Sequence, residues 1–417
     1  MEVVLISVLS TALFTGLLTW LNRRALRPRW QPAAVMAAER HRGLRLLPHA
    51  ERPRALVGTV AGRAVEVSVD MADLDRRDKG FFEIAVDAQL PSGLMLHRER
   101  VGSQLRAVMG GEDIQVGVPG FDERVRISAP GSPHDIVSRL SGAVRRPILE
   151  LLAVGDLRTS RGKVIARQPV GNVDPGALAD HISLLVAVVS AIDDGLDTAA
   201  RLARGVMHDE EPNYRLRCFE LATTIPDSEA AHALARSCLT HRDLLVRVRA
   251  ARFLHDEAGE AALNEVLRSP STPAEPRAAA LDALAELARP PSTGLLIEHL
   301  TVAAPAVRAA AARCLGQVGT PGAIESLARL LDEPAREVRI AAIEGLGACA
   351  PLAMVDQLGE RTQGMLRDAS EKRAARLAVA RIQARHSGDA GRLSLVGPDT
   401  RGALAVVPEA DAERVDG

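Results

Sequence analysis

Four arginines set the limits on what this chain can fold into. Arg247, Arg277, Arg308 and Arg339 recur at intervals of 30, 31 and 31 residues, and seven residues after each stands an apolar side chain: Leu254, Leu284, Leu315 and Leu346. Small residues fill the space between, at Ala250 and Ala251, at 278–280, at 309–312, and at Ala341 and Ala342. A step of this length accommodates one helical hairpin. The clearest copy occupies residues 307–332. There a small-residue helix ends near Leu315 and Gly316, Gly319-Thr320-Pro321-Gly322 turns the chain, and a second helix carries Ala323, Ile324, Leu327, Leu330 and Leu331 on its apolar side. Neither helix can bury its apolar stripe alone, so such hairpins stack. Residues 214–221 fit one further unit upstream and residues 371–382 one downstream. An all-α solenoid is expected over about residues 205–386.

These repeats, clearest over residues 307–332 and 338–347, resemble the HEAT-repeat family in its short, lyase-type form. The resemblance implies a right-handed α-solenoid that binds other proteins. It also implies that the repeated arginine bonds a neighbouring turn, so Arg308 and Arg339 are read as structural. In such repeats the Arg-bearing helix, second of its pair, faces the concave side. Helices starting near Val246, Val307 and Val338 would then expose Arg252, Arg313 and Glu344, each five residues after its arginine. That row is the candidate protein-docking surface. Enzymatic relatives with a di-iron site use repeated His-Glu pairs. Here only His134-Asp135, His208-Asp209 and His255-Asp256 occur, off the repeat interval. Aromatics are 2% of the chain, which argues against a bilin pocket or an aromatic-lined nucleic-acid groove.

The N-terminus reads differently. Residues 3–21 carry no charge and, as a helix, would span about 28 Å, close to a bilayer core. Arg23, Arg24, Arg27 and Arg29 follow at once, and Trp20 and Trp30 bracket that end. Charge after the apolar run is the wrong order for a cleaved signal peptide. The expectation is a single-pass transmembrane anchor (residues 1–30 with its basic flank) contacting the lipid bilayer of the inner membrane, N-terminus outside and the bulk of the chain cytoplasmic.

Residues 31–204 read as an α+β domain. Residues 31–47 suggest a helix. Residues 55–60 and 64–69 alternate around Ala61-Gly62-Arg63, a hairpin signal. Strands are expected over 81–86, 94–97 and 121–128, then a helix over 133–154 divided or kinked by Pro147. A second hairpin turns at Ser160-Arg161-Gly162. Asp174 and Pro175 mark the start of a helix. Its apolar run, 182–192, is too short to span a membrane and reads as core. The mixed-charge stretch 70–79 reads as a solvated connection. Residues 387–417 lack periodicity and read as a disordered tail.

Chemistry is sparse. The chain contains no GxxxxGK[ST], GxSxG or HExxH. His208-Asp209-Glu210-Glu211 holds metal-ligand types but reads as an acidic helix boundary. Cys218, Cys238, Cys314 and Cys349 form no CxxC and read as small core residues. The net charge of −1 gives no sign of nucleic-acid binding. No catalytic residue, cofactor or metal is assigned. The expected function is a non-catalytic, membrane-anchored protein-binding scaffold. The alternative is an enzyme or small-ligand receptor with its site in residues 31–204.

Overall fold

The computed structural model describes residues 32–47, 54–70, 81–90, 93–98, 113–169, 174–226, 228–363, 368–386, 393–395 and 404–406. The chain divides into two compact units between Pro226 and Asp227.

The first unit is built on an eight-stranded antiparallel sheet. A helix α1 (32–40) leads into the short edge strand β1 (Leu44–Leu46), so the segment expected to be one helix ends in a strand. Strands β2 (Arg54–Val60) and β3 (Arg63–Asp70) meet at Ala61 and Gly62, with φ of 48° and 80°. Those positive angles give a two-residue turn whose twist matches the strands. Strand β4 (Phe81–Asp87) continues the sheet, and β5 (Met95–Arg98) pairs with β6 (Val125–Ser128). The expected strand over 121–128 is shorter, because Pro119 starts a helical turn, α2 (Pro119–Asp122). Asp122 holds that turn by accepting from the backbone N–H of Val116, Gly117 and Val118.

The helix expected over 133–154 is two helices, α3 (Pro133–Arg139) and α4 (Gly142–Leu152). They divide at Leu140 and Ser141, and Pro147 lies within α4. The second hairpin joins β7 (Leu157–Ser160) to β8 (Lys163–Pro169) through Arg161 and Gly162, again at positive φ. The strand order is β1-β2-β3-β4-β8-β7-β5-β6. Helix α5 (Pro175–Ile192) starts as expected: Asp174 accepts from the N–H of Gly176, and Pro175 is the first helical residue. It packs on β4 and α4, and buries Leu178, Ile182, Leu185 and Val189 completely. Helices α6 (Thr198–His208) and α7 (Pro212–Thr224) complete the unit. The core lies between the buried side of the sheet, with Val67, Phe82, Ile84 and Ile127, and these helices.

The second unit is a run of helical hairpins: α8 (Ser228–Cys238) with α9 (Leu244–Leu254), α10 (Glu257–Arg268) with α11 (Ala274–Glu286), and α12 (Thr293–His299) with α13 (Pro305–Val318). Then come α14 (Pro321–Arg329) with α15 (Arg336–Cys349), and α16 (Val355–Glu360) with α17 (Ala369–His386). Each second helix packs on the next: α9 on α11, α11 on α13, α13 on α15, α15 on α17. Alanines make this possible, and positions 309–312 of α13 are all buried. Leu315 and Leu346 are fully buried at equivalent positions. Helix α13 stops because Gly319 takes φ 64°, and Thr320 caps α14 by accepting from the N–H of Ala323. Two short strands, β9 (Leu393–Leu395) and β10 (Leu404–Val406), pair antiparallel within the segment expected to lack structure.

The membrane expectation is corrected. No helix among the described residues is long and apolar enough to cross a membrane, and residues 3–21 lie outside them. The apolar run of α5 is interrupted on its N-terminal side by Asp180 and His181, and serves as core. The transmembrane part of the architecture, the bilayer contact and the inner-membrane localisation are therefore withdrawn.

Candidate functional site

The repeated arginine is a turn anchor. Arg308 donates from Nη1 to the carbonyls of Val302 (2.9 Å) and Ala303 (2.7 Å), six and five residues before it. Arg339 does the same to Glu333 (2.8 Å) and Pro334 (2.9 Å). Arg247 reaches the carbonyl of His241 and Arg277 that of Thr272. Each side chain folds back on the loop that precedes its own helix. Carboxylates reinforce three of them: Glu333 for Arg308 at 2.8 Å, Glu371 for Arg339 at 3.1 Å and Glu265 for Arg247 at 3.4 Å. In the first unit Arg215 makes the identical pair of bonds, to the carbonyls of Asp209 and Glu210.

Five residues beyond each arginine the chain presents a charge. Arg252, Arg313 and Glu344 all reach the surface, at least in part. The structure adds Asp282, five residues after Arg277. The row thus runs Arg252, Asp282, Arg313, Glu344 on α9, α11, α13 and α15, alternating in sign. Asp282 escaped the sequence reading because Arg277 follows Pro276 rather than valine. Counting five from all four arginines, without that filter, finds it.

Three of the four charges in the row are paired. Arg313 donates from Nε (2.9 Å) and Nη2 (2.6 Å) to the same oxygen, Oδ1 of Asp282. Arg252 pairs with Glu286, one turn after Asp282, at 2.6 Å. Gln317 donates to the carbonyl of Ala285 at 2.7 Å. Asp282, Glu286, Arg313 and Glu344 wall a groove of about 520 Å³ over α11, α13 and α15. Its floor is small: Ala285, Gly316, Gly345 and Ala348. A Cβ built at Gly316 would lie 2.4 Å from the Cα of Gly345, so only glycine allows the two backbones to meet. The structure brings Arg313 and Glu344 into one groove and ties Arg252 to it through Glu286.

Cys218, Cys238 and Cys314 are buried and Cys349 half-buried. Burial pushes the Cys314 thiol up to about 12 and that of Cys238 to about 11. Thiols held protonated are poor nucleophiles and poor ligands.

The first unit holds a wider cleft of about 900 Å³, with Phe121 and Leu149 on its apolar side and His208 and Glu211 among its polar residues. The buried charges inside it are matched. Arg145 bonds Asp209 at 2.7 Å, both side chains nearly inaccessible, and lies over the Tyr214 ring at 4.5 Å. The backbone N–H of Gly142 donates to the same carboxylate at 2.7 Å. Asp209 is therefore committed to the protein and removed from the His208-Asp209-Glu210-Glu211 stretch. Arg201 bonds Asp135 at 2.7 Å and Asp194 at 3.3 Å. Among the described residues no three His, Cys, Asp or Glu side chains gather as a metal site would require.

Comparison with known proteins bears on the repeats. Residues 260–347 match the family model described as HEAT repeats, so this stretch is a HEAT-like repeat region. Two crystal structures of engineered proteins are similar in part. One is 22% identical, with 47% of this chain and 92% of that one covered and a TM-score of 0.28. The other is 18% identical, with 60% and 68% covered and a TM-score of 0.31. No curated protein matches the chain in sequence.

Proposed function

We propose that the chain is a non-catalytic scaffold that docks a protein on the exposed row of its second unit. The observation behind this reading is the groove over α11, α13 and α15. It crosses three successive repeats, is walled by charged side chains and floored by glycines and alanines, and all of it but Ala348 lies inside the stretch that matches HEAT repeats. Repeats of this family commonly mediate protein interactions, and stacked units present one continuous surface for them. Binding energy on such a surface concentrates in a few residues. Arg252, Arg313 and Glu344, with Asp282 added, are the residues assigned to it.

The test must reverse the pattern without breaking the internal pairs. Arg313→Asp combined with Asp282→Arg, and Arg252→Glu combined with Glu286→Arg, exchange the partners of each bond. Affinity capture followed by mass spectrometry should recover a partner with the native protein and lose it with the exchanged one. Recovery at unchanged yield from the folded variant would move docking off this row.

The cleft of the first unit favours a second reading, a small-ligand receptor or enzyme site. Its volume lies in the range of ligand pockets. A metabolite that raises the melting temperature of the native protein, but not of a Leu149→Trp variant, would support that reading.

A further inference from the structure

The groove lined by Asp282, Glu286, Arg313 and Glu344 is unbalanced: three carboxylates stand against one guanidinium. That guanidinium is already engaged, since Nε and Nη2 of Arg313 both donate to Oδ1 of Asp282. Glu286 is engaged by Arg252 from outside the groove. Glu344 is exposed and has no ion-pair partner among the described residues, although the other charges of the row are paired. Beside it the floor is bare backbone and methyl groups at Gly316, Gly345 and Ala348.

We propose that this groove receives a lysine or arginine side chain from an extended basic segment of a partner protein, with the cation seated against Glu344. The inference rests on the docking reading above and names the chemistry of the partner. An acidic segment would bring carboxylates towards Asp282, Glu286 and Glu344, and like charges brought together cost free energy. An apolar segment would strip water from those carboxylates without replacing its hydrogen bonds. A long cationic side chain satisfies both demands. Its methylenes lie on the glycine and alanine floor, and its head group reaches the carboxylate wall. The groove volume of about 520 Å³ is that of a pocket able to take it.

Fluorescein-labelled synthetic peptides test the proposal on the purified full chain. Three peptides share a glycine-serine background and carry arginine, lysine or glutamate at alternate positions. Anisotropy should report binding of the arginine or lysine peptide and none of the glutamate peptide, weakening as salt rises from about 50 to about 300 mM. Glu344→Gln should lower the affinity about tenfold. Ala348→Lys, at an exposed floor position, should do the same by placing an ammonium group in the groove. Glu275→Gln, an exposed carboxylate outside the groove, should change nothing. Melting temperatures of all variants establish that each is folded. If Glu344→Gln perturbs folding, Ala348→Lys decides alone. Equal binding of the cationic peptide by Ala348→Lys and the native chain overturns the proposal, as does tighter binding of the glutamate peptide. Loss of a captured partner in the pair-exchanged variants, with either overturning result, would leave docking on the row intact and remove only the cationic partner.

Discussion

A buried carboxylate shows what one residue can decide. Asp209 neutralises Arg145 and accepts from the N–H of Gly142 at the start of α4. Asp209→Asn keeps the shape but leaves the buried guanidinium without a counter-charge, and breaking one side of a buried pair costs about 3–5 kcal/mol. Chemical denaturation of the variant should show that loss; a change under about 0.5 kcal/mol, the scale of a surface site, would refute it. Leu315 and Leu346 carry the matching argument in apolar terms. Both are fully buried in the packed series of second helices. Truncating either to alanine should cost about 2–5 kcal/mol, the lost transfer energy plus the cavity left behind. Gly316 is constrained from the opposite direction, because a methyl group there has no space beside Gly345.

At the scale of elements, the repeat arginine is what fixes each second helix to the turn before it. Arg308→Met keeps most of the stem and deletes the donors to Val302 and Ala303. Hydrogen bonds from a charged group contribute about 1.5–3 kcal/mol, so a loss of that order is expected by denaturation, with faster amide exchange in the loop at 300–304. This element was legible in the sequence because the arginine, the leucine seven residues on and the alanines between recur in register. The capped turn at Gly319 and Thr320 was legible from its own turn residues. The hairpins at Ala61-Gly62 and Arg161-Gly162 were legible from their turn residues. Less legible was the division between α3 and α4. Pro147 draws the eye, yet it lies inside α4, beyond the first turn, and the helix continues through it at the cost of one backbone bond; the break falls instead at Leu140 and Ser141. The network around Asp135 and Arg201 left no trace in sequence spacing, since its members come from α3, α6 and the end of α5. Of the row's four charges three were legible: the spacing placed Arg252, Arg313 and Glu344, but not that Arg313 and Arg252 would be bonded to Asp282 and Glu286.

Across the whole molecule, the two units differ in how their charges are held, and acid should tell them apart. In the first unit, burial pushes the Asp135 carboxyl up, but bonds from Arg139 and Thr198 and the charge of Arg201 outweigh it and hold it below its ordinary value. For Asp193, burial is likewise outweighed by Arg63 and the N–H of Gln89. For Asp194 it is outweighed by Arg204, the N–H of Leu196 and Arg201. Through these carboxylates the end of α5 is bonded to β3 and α6, and α3 to α6. A carboxyl depressed in the folded state is bound by fewer protons there than in the unfolded chain. Its contribution is present above the unfolded value of about 3.9 and is lost as the pH falls through the folded value. In the second unit Asp368 is the described carboxylate shifted in the same direction, and its side chain is more than a third exposed, where screening leaves such a shift little weight. Hydrogen exchange of the full chain, read by mass spectrometry after brief exposure to a series of pH values below about 4, should therefore show α3 and α6 losing protection before α13 and α15. Asp135→Asn should flatten that dependence in α3 and α6. Loss of protection in α13 and α15 first would show that the acid sensitivity of this chain is set elsewhere than in the Asp135, Asp193 and Asp194 network.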